Sequence, residues 1–382
     1  MTCCAVACAM TACHDDGPDR PVDKDSRTVL VYIVATNNLG SSGYDAADIA
    51  EMKQAIRNGD LRNGRWIVYH ASVDGSAPTL TEFTADGDKI LKTYSTDVSS
   101  VAASRMSEVI DDMKSMAPSD KYGLVLWSHG SGWQQDGIDE DDASDKIRPL
   151  SYGSDFGKKM NVTTLASVLN DRGIDYVYFD CCYMSTVEVA YELRHAVKYV
   201  VGSPSELSTD GTRYDLNMRY MLDGSESALI TAATNTFNHY NSQTAAADRT
   251  CTMGVIRTAR LAELAAATAA VYDLTPLPHP GVNVTNYRSR YSRQGKSIDF
   301  GEYVSSLASA QGLDAAIVSR FDKALDAAVL YKAATEKIWD EYPVYSTSGL
   351  ATYVFNNPDD FDVNGYPELQ WAADVVGPHH VR

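Results

Sequence analysis

A histidine and a cysteine able to exchange a proton, His129 and Cys182, stand 53 residues apart in this chain, and each follows a short apolar run. Gly123-Leu-Val-Leu-Trp-Ser128 leads into His129-Gly130, and Asp175-Tyr-Val-Tyr-Phe-Asp180 leads into Cys181-Cys182. Runs of this kind are buried strands, and the carboxyl ends of parallel strands gather on one edge of a sheet, so both side chains should emerge together. The attacking form of a thiol is its thiolate. Cys182 lies just before an expected helix N-terminus, whose partial positive charge and unpaired N–H groups favour that form and make a nearby base less critical. His129 would then protonate a leaving amine. The N–H groups of Gly130 and Cys182 are the natural donors for a tetrahedral oxyanion, and Gly130 lets a carbonyl approach.

The surrounding elements alternate between strand and helix. Thr28-Val-Leu-Val-Tyr-Ile-Val-Ala35 is continuously apolar and β-branched, as a strand covered on both faces should be. Asn37-Asn38-Leu39-Gly40 breaks it, and Asp45 to Ile56 follows with Ile49, Met52 and Ile56 at helical spacing. A strand at Trp66 to Val73, a hairpin turning at Asp86-Gly87, a helix at Val101 to Met116 and a helix at Val162 to Leu169 continue the pattern. Gln134 to Lys159, polar and acidic, reads as a long exposed loop. Ser185-Thr-Val-Glu188 reads as a capping box that starts a helix at about Thr186 to His195, before a strand at Tyr199 to Gly202. The fold class is therefore α/β, a mostly parallel sheet with helices on both faces. Beyond Tyr214 the expectation is helical (Ser225 to His239, Ala259 to Tyr272, Ala315 to Trp339), with strands at Thr252 to Ile256 and Ala351 to Phe355.

Composition narrows the function class. With 382 residues, 44% apolar and 22% charged, the chain is an ordered globular protein. A net charge of −18 without clustered Lys and Arg excludes a nucleic-acid backbone as partner and is compatible with cationic substrates. Of seven cysteines, Cys3, Cys4, Cys8 and Cys13 lie near the start, leaving Cys181, Cys182 and Cys251, which make neither a disulfide framework nor a zinc site. The N-terminus is small and apolar up to Met10-Thr11-Ala12-Cys13, then abruptly polar, and resembles the end of a bacterial lipoprotein signal, although the basic start of such a signal is missing. That resemblance implies cleavage before Cys13, a lipid on its thiol, and an exported protein, either a cell-surface or outer-membrane lipoprotein or a secreted one. No later run reaches the ~18 apolar residues of a membrane helix.

Leu126-Trp-Ser-His129-Gly-Ser-Gly-Trp133 and Phe179-Asp-Cys-Cys182-Tyr-Met184 are similar to the HGxGW and FDACxM motifs of the clostripain family of cysteine peptidases. Asn37-Asn-Leu39, Asp299-Phe-Gly-Glu-Tyr303 and Ser348-Gly-Leu-Ala-Thr-Tyr-Val-Phe355 extend the resemblance over nearly the whole chain; Cys181 stands where Ala is usual, and Ala351 where Ser is usual. A Cys–His pair about 50 residues apart at strand ends is also the arrangement of caspase-like peptidases.

The resemblance implies a caspase-like three-layer sandwich over residues 28–257, after a signal and linker over 1–27, with a mainly helical region and a late strand over 258–382. It assigns the nucleophile to Cys182 and makes Cys181 a small buried filler. It implies that Asp180 lines the S1 pocket, with cleavage after Arg or Lys, and Asp210 is the candidate second acid, in competition with Glu206. Self-cleavage is expected in the loop between the catalytic strands. Arg148 precedes Pro149, which disfavours cutting there, so the Lys146–Ile147 bond is expected, with Lys158 and Lys159 as fallbacks.

No cofactor is expected. Calcium is compatible with the family, but Asp136 to Asp145 lacks EF-hand spacing. The partners are polypeptides, the chain a monomer. A rival reading is a catalytically idle lipoprotein binding peptides or glycans on the same fold. A nucleotide-binding fold is discounted because Gly130-Ser-Gly132 lacks the glycine spacing and following helix of a dinucleotide fingerprint.

Overall fold

β1 (Arg27–Ala35) is buried at every position, so its period-two alternation divides two apolar layers rather than a core from solvent. Leu30, Tyr32 and Val34 face one layer; Val29, Val31 and Ile33 face the other. This is a computed structural model, and it describes residues 27–133, 138–139, 152–275, 284–287, 297–354 and 365–377. The strands that follow are β2 (Arg65–Ser72), β3 (Thr79–Thr84), β4 (Gly87–Thr93), β5 (Lys121–Trp127), β6 (Ile138–Asp139), β7 (Tyr152–Asp155), β8 (Lys158–Met160), β9 (Ile174–Asp180) and β10 (Tyr199–Gly202). After these come β11 (Thr252–Arg257), β12 (Ser297–Asp299), β13 (Val329–Ala334), β14 (Lys337–Ile338), β15 (Tyr342–Pro343) and β16 (Ala351–Tyr353).

One sheet runs in the order β13-β11-β10-β9-β5-β1-β2-β3-β4. Its centre, from β10 to β2, is parallel, and antiparallel strands close both margins. The α/β class and the mostly parallel sheet expected from the sequence are what the fold shows. Helices Tyr44–Arg57, Tyr214–Asp223 and Glu226–Asn241 bury their apolar sides in one layer. Helices Ala103–Met116, Val162–Leu169, Leu261–Tyr272, Phe300–Ala310 and Ala315–Ala328 fill the other.

Three local expectations are corrected. The helix expected over Ala315 to Trp339 ends at Ala328; Val329 turns to extended backbone, and Val329–Ala334 pairs with β11 as the last strand of the main sheet. The polar stretch read as one loop carries β7 and β8, which with β6 form a small sheet, and Tyr152 within it is fully buried. Lys158 and Lys159 lie in β8, with β7 and β6 as neighbours on its two sides, so cleavage there would require the strand to leave its sheet.

The third correction bears on the site. The helix after Cys182 spans only Val187–Glu192, and its cap is Thr186, which accepts from the Val189 N–H at 3.2 Å; Ser185 does not cap it. Ser185 instead donates to the Gly349 carbonyl, and Glu188 accepts from Thr352 Oγ1 and the Tyr353 N–H. The presumed capping residues therefore tie the nucleophile turn to β16.

Candidate active site

Trp127 is the register partner of Asp180 where β5 and β9 run side by side. His129 and Cys182, each two residues further on, therefore leave the sheet at the same edge. The turns they sit in touch: a Cβ on Gly130 would stand 2.4 Å from the Cys182 carbonyl oxygen and 2.9 Å from Cys181 Cβ. Only glycine allows that approach. Among the described residues, neither the Gly130 nor the Cys182 N–H donates to the backbone of another residue. Trp133, buried, wedges the first turn against Tyr353 and Tyr366, at ring distances of 4.7 and 4.6 Å.

His129 is held by its neighbours on both sides. The Gly153 N–H donates to its carbonyl at 3.0 Å, and Nε2 meets Asn38 Oδ1 at 2.7 Å. An amide oxygen only accepts, so Nε2 is the donor in this contact. Asn38 follows Asn37, whose side chain caps a short turn through the Leu39 N–H and binds the carbonyls of Val34 and Ser154. Asn38 belongs to the Asn37-Asn-Leu39 stretch that carries part of the family resemblance, but the sequence alone does not link it to His129.

Cys182 is half-buried, and Cys181, on the opposite face, is 2% exposed with its thiol on the Leu126 carbonyl at 3.0 Å. The helix N-terminus expected after Cys182 is present and begins at Val187. The helix cap is four residues away at Thr186, and the intervening turn passes through left-handed backbone at Tyr183, φ 61°. The sulfur receives the Leu207 N–H at 3.4 Å. Burial pushes the thiol up to about 12; Leu207 opposes the rise, while Glu206 and Asp180 add to it. A thiol held up in this way calls for a base, and His129, at the end of the neighbouring strand β5, is the candidate.

Asp180 points to the layer opposite Cys181 and is 5% exposed. The Thr212 N–H and the Tyr214 hydroxyl each bind one of its oxygens at 2.9 Å, and Gly211, at φ 59°, leaves room where a Cβ would fall 2.7 Å from Oδ1. Burial raises its pKa to about 7, with the Glu51 charge adding to the rise. Behind it, Trp127 donates its indole N–H to Asp48 at 2.5 Å, and burial, then the Asp180 charge, push Asp48 up strongly. Asp48 and Glu51 come from the helix Tyr44–Arg57 and were missed, because nothing local to that helix distinguishes them from ordinary surface acids. Glu51 pairs with Arg213 at 2.8 Å. Asp210 is exposed, in the turn before Gly211, and its charge reaches Asp48 and Glu51. Glu206 accepts from the Trp339 indole at 2.5 Å.

Lys146 and Cys13 lie outside the described residues, as does most of the acidic loop from Asp136 to Asp145. Among the described residues no helix is long and apolar enough to cross a membrane, and no group of three or more His, Cys, Asp or Glu could hold a metal ion.

Comparison with known proteins gives the family. An inactive zymogen C11 protease from Parabacteroides distasonis is 30% identical, over 91% of this chain and 97% of that one, with a TM-score of 0.75. A secreted C11 cysteine protease from Bacteroides thetaiotaomicron, in complex with an irreversible peptide inhibitor, is 25% identical over 91% and 98%, with a TM-score of 0.75. No curated protein is significantly similar in sequence. The sequence profile of the clostripain family matches residues 31–364, and the chain belongs to that family of cysteine-type endopeptidases.

Proposed function

We propose that this endopeptidase cuts after Arg or Lys through a dyad of Cys182 and His129. His129 takes the proton of the Cys182 thiol, and the thiolate forms a C–S bond to the scissile carbonyl carbon. The N–H groups of Gly130 and Cys182 receive the oxyanion. His129 returns the proton to the leaving nitrogen as the C–N bond breaks, which leaves a thioester. Water, deprotonated by His129, attacks that thioester; the C–S bond breaks and the thiol is restored with a carboxylate product.

The observation that carries this reading is the Trp127–Asp180 register, which brings the two turns to one edge with Gly130 against the Cys182 backbone. Asp180, with Asp48 in electrostatic reach, supports a cationic P1 side chain, because a buried carboxylate gains most from a charge-assisted partner. A thiol pushed up by burial suits a latent precursor, and a relative 30% identical is described as an inactive zymogen. Cleavage at Lys146–Ile147 is the proposed activation step. Attachment of a lipid at Cys13 is likewise proposed; a relative is described as secreted. A fluorogenic panel varying P1, run on wild type and Cys182→Ala, tests the whole: Arg and Lys should lead, and the variant should be silent. A wild type that prefers Asp or Leu at P1 refutes the pocket reading.

A further inference from the structure

We propose that Trp339, acting through Glu206, is a positioning residue for the Cys182 thiol. The proposal rests on Cys182 being the attacking group and adds a residue more than 150 positions away in sequence.

The nucleophile turn is strapped to the segment 203–207. Tyr183 N–H donates to the Ser205 carbonyl at 2.9 Å and Ser185 N–H to the Ser203 carbonyl at 3.0 Å, while the Leu207 N–H meets Sγ at 3.4 Å. The Leu207 carbonyl lies 3.9 Å from the same sulfur. The near half of this strap is fixed from β11: Thr252 Oγ1 lies 2.7 Å from Ser203 Oγ and 2.6 Å from Ser205 Oγ, all three residues being fully buried. The far half, Glu206 and Leu207, is reached at its backbone, where the Ser205 hydroxyl donates to the Glu206 carbonyl at 3.0 Å. Its side-chain tether is the Glu206 carboxylate, which takes the Trp339 indole N–H at 2.5 Å.

The hairpin that presents Trp339 is built to hold it. β14 and β15 pair around a tip in which Trp339 and Asp340 both adopt left-handed backbone, at φ 56° and 55°. Neither is glycine, so each carries backbone strain that the surroundings must overcome. The surroundings are the residues just before and at the start of β11: the Trp339 N–H donates to Thr250 Oγ1 at 3.2 Å, and Thr335 and Cys251 exchange backbone and hydroxyl bonds. One strand end thus fixes both halves of the clamp, by hydroxyls on Ser203 and Ser205 and by the indole on Glu206. The carboxylate also places a negative charge beside the thiol, next to that of Asp180, so its position affects how easily the thiol ionises as well as where it points.

The test uses the full chain and reads kcat, KM, melting temperature and the pH profile of Cys182 alkylation by iodoacetamide, with the labelled peptide identified by mass. Trp339→Phe keeps the ring and loses the donor; Glu206→Ala loses the acceptor; Glu206→Gln keeps an acceptor and drops the charge. Trp339→Phe and Glu206→Ala should each lower kcat about tenfold with KM within about twofold, as expected for one lost supporting hydrogen bond. The double variant should lose no more than the worse single, since both cut the same tether. Glu206→Gln should recover most of the kcat lost in Glu206→Ala and move the alkylation profile to lower pH. Losses that multiply in the double variant, or a change confined to KM, overturn the proposal. Should the truncating variants unfold, the isosteric Glu206→Gln decides alone: an unmoved alkylation profile or a collapsed kcat refutes it. Label on a cysteine other than Cys182 would instead refute the nucleophile assignment beneath it.

Discussion

Gly130 meets Cys182 backbone to backbone: a Cβ at position 130 would lie 2.4 Å from the Cys182 carbonyl oxygen. Gly130→Ala must push the two turns apart, displacing both proposed oxyanion donors and the thiol relative to His129. A misplacement of about 1 Å costs about a hundredfold in rate, so kcat/KM should fall by at least about that much, while overpacking costs about 1–3 kcal/mol of stability. Steady-state kinetics beside a thermal melt separates the two. Activity near wild type would mean that these turns do not form the cleft.

Asp180 gives a pH signature with a definite sign. Its folded value near 7 stands above the value of about 3.9 in an unfolded chain. Between those limits the native chain holds a proton that the unfolded chain has released, so stability falls as pH rises through that window and does not return above it. Asp180→Asn should therefore melt higher than wild type at pH 8 and no higher at pH 4. It should also lose preference for cationic P1 residues, and wild-type kcat/KM for them should climb between pH 6 and 8. A variant that melts lower at pH 8 contradicts the assignment of a strained buried charge.

Asn38 Oδ1 lies 2.7 Å from His129 Nε2 and anchors the ring. Asn38→Leu removes the acceptor while keeping the branched shape, so the ring is free to turn. The expected loss is about tenfold to a hundredfold in kcat, part of the contribution of a positioned acid–base group, with little change in melting temperature because the contact is exposed. Unchanged turnover would show that His129 needs no such anchor.

Self-processing at Lys146–Ile147 is read by mass spectrometry of purified protein. Wild type should acquire a new N-terminus at Ile147, and Cys182→Ala should remain one chain. An intact wild type of full activity removes self-cleavage from the account and leaves the dyad untouched.

The sheet was legible because β1, β5 and β9 are apolar at successive positions, which only a doubly covered strand tolerates. His129 and Cys182 were legible for the same reason, each ending such a strand. β13 was hidden because an alanine-rich helix runs directly into Val329-Leu-Tyr331, and an apolar run does not announce where helix gives way to strand. The cap at Thr186 in place of Ser185 follows a left-handed turn at Tyr183, a residue type that rarely adopts it, so nothing in the sequence signals it. Asp48, Leu207 and Trp339 reach the site only through tertiary packing.

The most direct test of the central claim is covalent labelling with an arginyl or lysyl chloromethylketone, followed by peptide mapping of wild type and Cys181→Ala. The label should sit on Cys182 in both proteins, with one equivalent abolishing activity, because Cys181 is buried on the far face with its thiol on the Leu126 carbonyl. Label on Cys181 or Cys251, or full activity in protein labelled at Cys182, would contradict the account.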